Sequence, residues 1–362
     1  MTRTKELKDV QGAALIEARV RRAIAIHFDP DTGAPFWLDR QRTLGINARR
    51  NIRSLGDLQV LGEMRPADLS ERPLLDYVPR RYHAELGGYI LGQTGGTTGG
   101  GAWTIYRQDE FEEAFITPFT VAAEFLGFPR GERWLFVGPS GPHIIGKVVR
   151  QMAEGQGSPD PFSVDFDARW AKKLPEETLA MRRYLAHVVE QAKRIIEQQE
   201  IGVIFTTPAV LGSLGEAMSA AQRTRVRGLH YGGMELRPEI LAHFQRDVFP
   251  NAVHVSGYGN TLFGCTLELS SELGRVPRYF PYGSRLILEV VSAEGPAVAP
   301  GEQGVVRFTR LDDSFLIVRM RERDAASAVL PPSDAPSGFR LAGVCNPHSP
   351  ATLAPRQSKG LY

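Results

Sequence analysis

Cysteine is nearly missing from this chain: Cys265 and Cys345 are the two in 362 residues. Two isolated thiols supply neither a disulfide framework nor a zinc pattern. The eight histidines show no H-E-x-x-H or comparable metal spacing. No apolar run approaches the length of a membrane span. The start, Met1-Thr2-Arg3-Thr4-Lys5-Glu6, is polar, with no signal-peptide apolar region behind it. Excess charge is absent as well: the formal net charge is +2, too near neutral for a nucleic-acid binder. No G-x-G-x-x-G follows a first strand, and no Lys-Ser or Lys-Thr follows a glycine run. The dinucleotide fingerprint and the Walker loop are thereby set aside. These absences suggest a soluble, cytoplasmic protein with neither nucleic acid nor membrane among its partners. A hydrophobic content of 42% and a charged content of 23% are those of an ordinary globular chain. The length leaves room for two or three subdomains with their own cores.

Glycine, by contrast, is concentrated in one place. In Gln93-Thr94-Gly95-Gly96-Thr97-Thr98-Gly99-Gly100-Gly101, five of the last seven residues are glycine and the other two are threonine. Tyr89-Ile90-Leu91 precedes it and Trp103-Thr104-Ile105-Tyr106 follows, so it reads as a loop joining two strands, or a strand and a turn. Uncovered glycine N–H groups can form a concave anion site, to which threonine hydroxyls add donors. A phosphate is the natural occupant; a flexible Gly/Thr linker is the alternative.

Along the chain, residues 1–30 read as a helix, with Ala14, Ile16, Val20, Ala23 and Ile24 at helical spacing. Residues 38–85 hold short helices with basic, solvated faces. A helix over residues 109–125 is kinked at Pro118. Strands then alternate with helices: 134–137, helix 185–196, 202–206, helix 210–221, 226–231, helix 238–244, 253–255. This alternation predicts an α/β fold, a largely parallel sheet covered by helices. Beyond Phe263 come strands without long helices (266–269, 285–291, 305–308), then an irregular tail from Ala325. The expected division is 1–262 as α/β sheet subdomains, 263–324 as a small β-barrel-like subdomain, and 325–362 as the tail.

Four loops at strand ends stand out: residues 94–101, 231–236, 258–261 and 319–324. In order and content they resemble the adenylate-forming superfamily, and within it the phenylacetate–CoA ligase branch. Residues 35–58 also look like that branch's N-terminal region, so the resemblance covers most of the chain. It implies that Thr94-Gly95-Gly96-Thr97-Thr98-Gly99 wraps the phosphates of ATP. It implies that Gly232-Gly233-Met234-Glu235 lines adenine and that Tyr258-Gly259-Asn260-Thr261 is the aromatic-Gly-x-Thr segment. In Arg319-Met320-Arg321-Glu322-Arg323-Asp324, Asp324 would hold the ribose hydroxyls; a salt bridge to Arg319, Arg321 or Arg323 is its plainer alternative. Thr94, Thr97 and Thr261 would act on the reacting phosphates, chemistry that is mainly positioning and charge stabilisation. Tyr258 would stack on adenine; a strand-end core aromatic is its alternative. Phe136, Ser140, Gly141, His143, Tyr231 and Phe263 would face a flat aromatic acid, although His143 satisfied by backbone is as good a reading.

Departures from the pattern carry their own implications. Where the family's phosphate loop ends in Pro-Lys, this chain has Gly101 and Ala102. Where a glutamate usually binds Mg²⁺, it has Leu262, which offers no oxygen ligand. In the hinge-like Phe339-Arg340-Leu341-Ala342-Gly343, the arginine expected next is Val344. The chain ends at Tyr362, so the family's C-terminal lid domain, with its adenylation lysine, is expected to be absent. A shortened chain of this kind resembles the truncated adenylate-forming enzymes of phenazine antibiotic biosynthesis. The implied activity is ATP-dependent activation of an aromatic, phenazine-type carboxylic acid, with ATP and Mg²⁺ as cofactors and no thioester formation by this chain alone. A downstream acceptor or reductase protein and a homodimer are the implied partners. A silent homologue that carries an aromatic acid, or confers resistance to it, is the rival reading.

Overall fold

A computed structural model describes residues 2–95, 101–171, 173–174 and 178–350, with side chains from residue 12 onward. Contacts sort the chain into two units interleaved in sequence. One comprises Met1–Ala114, Leu262–Gly264 and Phe280–Val344; the other comprises Phe115–Thr261, Cys265–Tyr279 and Cys345–Tyr362. The linear boundaries expected at residues 262 and 324 are not those of the contacts, because the N-terminal helices bond directly to late strands. Trp37 donates its indole N–H to the Leu316 carbonyl at 3.3 Å, and the Met64 amide donates to the Val318 carbonyl at 3.0 Å.

In the first unit the opening helix, Thr2–His27, buries Val20, Ala23 and Ile24 on one stripe. The helix Pro35–Leu44 starts with proline in its first turn, where no amide bond is lost. It buries Phe36 and Trp37 beside Tyr77 and Phe315; Phe36 lies 5.1 Å from Trp37 and 4.9 Å from Tyr77, ring to ring. The glycine loop does join two strands: β1 (Ile90–Gln93) and β2 (Trp103–Tyr106) form an antiparallel hairpin, with Ile90 opposite Tyr106 and Gln93 opposite Trp103.

The second unit is built on β3 (Arg133–Gly138), β4 (Phe162–Asp165), β5 (Ile201–Thr206), β6 (Gly228–Tyr231), β7 (Val253–Asn260) and β8 (Gly264–Leu267). Their order is β4-β3-β5-β6-β7-β8, and β4-β3-β5-β6-β7 run parallel. Alternate strand residues face opposite ways. Leu135, Val137, Ile204, Leu229 and Tyr231 join the core formed with the helices Leu179–Gln198 and Pro208–Ala217. Trp134, Phe136, Phe205 and His230 project from the other face, onto Phe119 and Phe128. The α/β architecture expected from the alternation is the one observed. The expected kink is a π turn, Glu112–Ile116, just ahead of Thr117–Phe125 and its Pro118.

Next come β9 (Arg278–Tyr279), β10 (Leu286–Val291), β11 (Gln303–Leu311), β12 (Leu316–Val329) and β13 (Gly343–His348). β10, β11 and β12 form an antiparallel meander. Two expectations change here. Residues 319–324 are not a loop but the interior of β12, and the tail is not irregular from Ala325. Ladder pairing of Val305 with Ala325, Gly304 with Ala326 and Gln303 with Ser327 extends the strand through small residues that carry little strand signal themselves. Residues 351–362 lie outside the described range.

His27, His230 and His254 are buried and hydrogen-bond to backbone carbonyls of Asp312, Val255 and Phe249 respectively. Burial holds all three imidazoles down at about 4. Their folded values lie below the unfolded value near 6.5, so the unfolded chain binds more protons between those limits. Stability should therefore be full above pH 6.5 and fall as the pH drops toward 4, by up to ~1.4 kcal/mol per pH unit for each histidine. Urea melts from pH 7.5 to 4.5 would read this. A midpoint that stays level across that range would refute it.

Candidate functional site

The carboxyl edge of the parallel sheet gathers most of the residues singled out in the second unit. Chain direction changes sides between β3 and β5, since β4 lies outside β3 while β6 continues beyond β5. Ligands of open α/β sheets lie at such a crevice. The loop after β3 is tied down: Ser140 donates its amide and its hydroxyl to the Asp165 carboxylate, each at 2.8 Å. Ser140 is thus committed to shaping the turn, and Gly141 follows with φ +65°. His143, 6% exposed, caps the helix Ile144–Gly155 with its backbone. Phe136 is buried and rests on Phe205, 5.4 Å between centroids.

Tyr231 pairs with Ser256 across the parallel β6–β7 ladder, so the segment after β6 runs beside the last residues of β7. A Cβ on Gly232 would stand 2.8 Å from the Gly257 carbonyl oxygen, an approach that only glycine permits. Gly233 and Glu235 are exposed, and Met234 is half-buried. Tyr258, Gly259 and Asn260 belong to β7 rather than to a loop, and Thr261 follows directly. The Tyr258 ring is half-buried, 5.9 Å from Tyr279. Ser256 at the base of this segment donates its hydroxyl to Glu268, whose carboxylate accepts two bonds from Arg275 at 2.8 Å. Tyr231 is fully buried, its hydroxyl 3.2 Å from His254 Nδ1, and serves the core rather than a substrate wall.

The first unit holds the rest. Thr94 donates its amide to the Ala102 carbonyl at 2.9 Å, and its hydroxyl oxygen accepts from the Ala102 amide at 3.0 Å. These bonds close the neck of the glycine loop and leave the Thr94 hydroxyl proton for another acceptor. A Cβ on Gly101 would strike the Thr94 carbonyl oxygen. Gly95 is described; Gly96, Thr97, Thr98 and Gly99 lie outside the described residues. Asp324 is half-buried in an irregular part of the β11–β12 ladder. Val305 pairs with Ala325 and Arg307 with Arg321, so Val306 alone stands against Glu322, Arg323 and Asp324. Of the arginines once weighed as its partners, Arg321 is taken by Glu63 at 2.7 Å. Phe263 is buried against Phe308, 4.9 Å away, so it too is a core residue.

Three separate segments of this unit are gripped by one buried charge cluster. Asp312 receives Arg285 Nε and Nη2 at 2.9 and 2.6 Å and Arg310 Nε at 2.6 Å. Arg310 goes on to the Thr104 hydroxyl and the Ile105 carbonyl of β2, both at 2.7 Å, and to the Leu262 carbonyl at 3.0 Å. Its guanidinium also covers the Tyr106 ring at 3.8 Å. Arg285 bonds the Phe263 carbonyl at 2.6 Å. Burial alone would raise the Asp312 carboxyl, but Arg285 and Arg310 hold it down at about 2. None of this was legible beforehand, because Leu311-Asp312-Asp313 looks like an ordinary polar turn.

Leu262, at the place of the expected Mg²⁺ ligand, is buried and its carbonyl is engaged by Arg310. Among the described residues no group of three or more His, Cys, Asp or Glu side chains is placed to hold a metal ion. No helix among them is long and apolar enough to cross a membrane.

No protein-family model and no curated protein matches this chain. Its fold is shared with solved structures of a 2-hydroxyisobutyryl-CoA ligase. The complex of that enzyme with 2-HIB-AMP and CoA in the thioesterification state superposes with a TM-score of 0.67 at 14% identity, over 93% of this chain and 67% of the other. An open conformation of the same ligase gives a TM-score of 0.65 at 14% identity, over 91% and 72%. The architecture, a helix-covered parallel sheet plus an antiparallel β subdomain, is therefore a fold that this chain shares with that ligase.

Asp312→Asn would leave two buried guanidiniums short of their counter-charge, a loss of ~3–5 kcal/mol. Asp313→Asn removes a partner of Arg22, which is 63% exposed, and should cost no more than ~1 kcal/mol. Urea unfolding of both variants checks this; equal losses would mean that the cluster does not bear the load assigned to it.

Proposed function

We propose that this chain binds ATP and a carboxylic acid at the carboxyl edge of its parallel sheet and joins them as an acyl-adenylate. The reading rests on one observation above the others. Gly232-Gly233, which follows β6, approaches β7 within backbone contact at Gly257, a fit that only glycine at 232 allows. Such a bare backbone ledge beside a half-buried Tyr258 suits a flat base. An oxygen of the acid would attack the α-phosphorus as pyrophosphate leaves, which needs positioning and charge stabilisation rather than a protein nucleophile. The closed neck at Thr94–Ala102 supports residues 95–101 as the phosphate loop, and Asp324 and Thr261 are assigned to the ribose and the α-phosphate. The Leu262 side chain offers Mg²⁺ no oxygen ligand, so the ion would be held by other groups.

The acid is proposed to be aromatic, of the phenazine-carboxylate type, in a secondary-metabolite pathway that hands the adenylate to another acceptor or reductase. Support for this part comes from the motif resemblance and from the aromatic layer of Phe136, Phe205 and Phe119 beneath the edge. The loop carries no lysine, as Gly101 and Ala102 stand in its place. One lost electrostatic stabiliser lowers a rate by about 10²- to 10³-fold, so turnover should be slow. The silent-carrier reading is favoured by that gap and by Leu262.

Acid-dependent exchange of pyrophosphate into ATP, with a panel of aromatic acids, tests the proposal. Exchange with at least one acid is expected. Asp324→Ala should weaken ATP binding about 10-fold or more, for loss of a charged hydrogen-bond acceptor, while the variant still folds. Neither exchange nor calorimetric ATP binding would sink the enzyme and leave the carrier.

A further inference from the structure

His230 sits one residue before the end of β6, on the face opposite the helix-packed core, and is 4% exposed. Its Nδ1 lies 3.0 Å from the Val255 carbonyl. A carbonyl can only accept, so Nδ1 carries the proton. The ring is neutral because burial holds its pKa at about 4, and Nε2 therefore presents a bare lone pair. Phe205 and Phe119 flank the imidazole at 4.4 and 4.8 Å, and Phe136 lies beyond Phe205. Nothing among the described residues donates to Nε2. The ring edge points toward half-exposed Gly257 on the neighbouring strand, where a Cβ would come within 3.4 Å of Cε1 and 3.9 Å of Nε2. A side chain there would cover the lone pair; glycine leaves it open.

We propose that His230 is a specificity-determining residue, which selects an acid bearing a hydrogen-bond donor, a ring hydroxyl or N–H, that reaches Nε2 between the aromatic rings. This rests on the adenylation reading above and extends it from an aromatic acid to one with a donor on its ring. A neutral lone pair opposes a carboxylate, so His230 takes the donor-bearing end and leaves the carboxylate for the phosphate. An acceptor fixed in one tautomer among aromatic rings discriminates strongly, because a ligand without the donor leaves it unpaired. The apolar flanks give the unsubstituted ring nothing in exchange.

The test is pyrophosphate exchange and calorimetric binding with matched acids: benzoate against its 2-, 3- and 4-hydroxy isomers, and phenazine-1-carboxylate against its hydroxylated forms. The wild type should favour at least one donor-bearing acid over its parent by about 10-fold or more. His230→Phe should reduce that preference to within about 2-fold, and His230→Gln, which keeps an acceptor, should retain most of it. Equal use of parent and hydroxylated acids by the wild type overturns the proposal, as does a preference that survives in His230→Phe. Should His230→Phe fail to fold, the wild-type series and His230→Gln decide. No exchange or binding with any acid and no ATP binding would instead remove the adenylation reading and this one with it. Exchange without discrimination removes only this one.

Discussion

A single carboxylate, Asp312, lies buried between the guanidiniums of Arg285 and Arg310, and distant pieces of the first unit hang from those two side chains. Arg310 holds β2, which carries the far end of the glycine loop, and with Arg285 it holds the Leu262–Phe263 backbone. Two buried arginines without a counter-ion would be prohibitive; with one carboxylate and several carbonyls they become a rigid knot. The knot sets where the hairpin leaves the β11–β12 meander, and so where the neck of the glycine loop stands. A hydrophobic contact of the same area would hold these segments together without fixing their direction, because burial has no angular preference.

Close backbone approach does the equivalent work in the second unit. Parallel pairing of Tyr231 with Ser256 sets the end of β6 against the middle of β7, and glycine at 232 lets the following segment settle on the carbonyl of Gly257. Below that ledge the base is anchored by Ser256, Glu268 and Arg275, a buried ion pair with its hydrogen bonds filled. That ion pair holds the strand beneath Gly232 and Gly257 in place. The same edge shows why His230 and Tyr231, adjacent in sequence, have different fates. One projects among Phe205 and Phe119 with a lone pair to spare, and the other is sealed under helices with its hydroxyl on His254.

Much of the fold could be read from the residues. Val203-Ile204-Phe205 and Trp134-Leu135-Phe136-Val137 are continuous apolar runs of strand length, and the stripe through Val188, Ala192 and Ile196 is helical in period. A loop at the glycine run could be expected too, because apolar residues flank a turn-rich stretch on both sides. The site was legible only as segments. Tyr231 and Phe263 looked like walls and are core, and residues 319–324 looked like a loop and are strand. His230 passed unnoticed in Leu229-His230-Tyr231, although a lone histidine inside an apolar strand is a signal worth following.

What the sequence determined by itself is local: which stretches are strands and helices, where glycine must turn the chain, and which chemistry the motifs resemble. Periodicity and turn chemistry act over a few residues, so a single chain carries them openly. Only the tertiary structure decided which face each strand residue takes, that Arg285 and Arg310 meet at Asp312, and that residues 262–264 and 280–344 join the N-terminal unit. Those outcomes depend on pairings between residues tens to hundreds of positions apart. Burial and charge pairing choose among such partners by position in space, of which no local pattern holds a record.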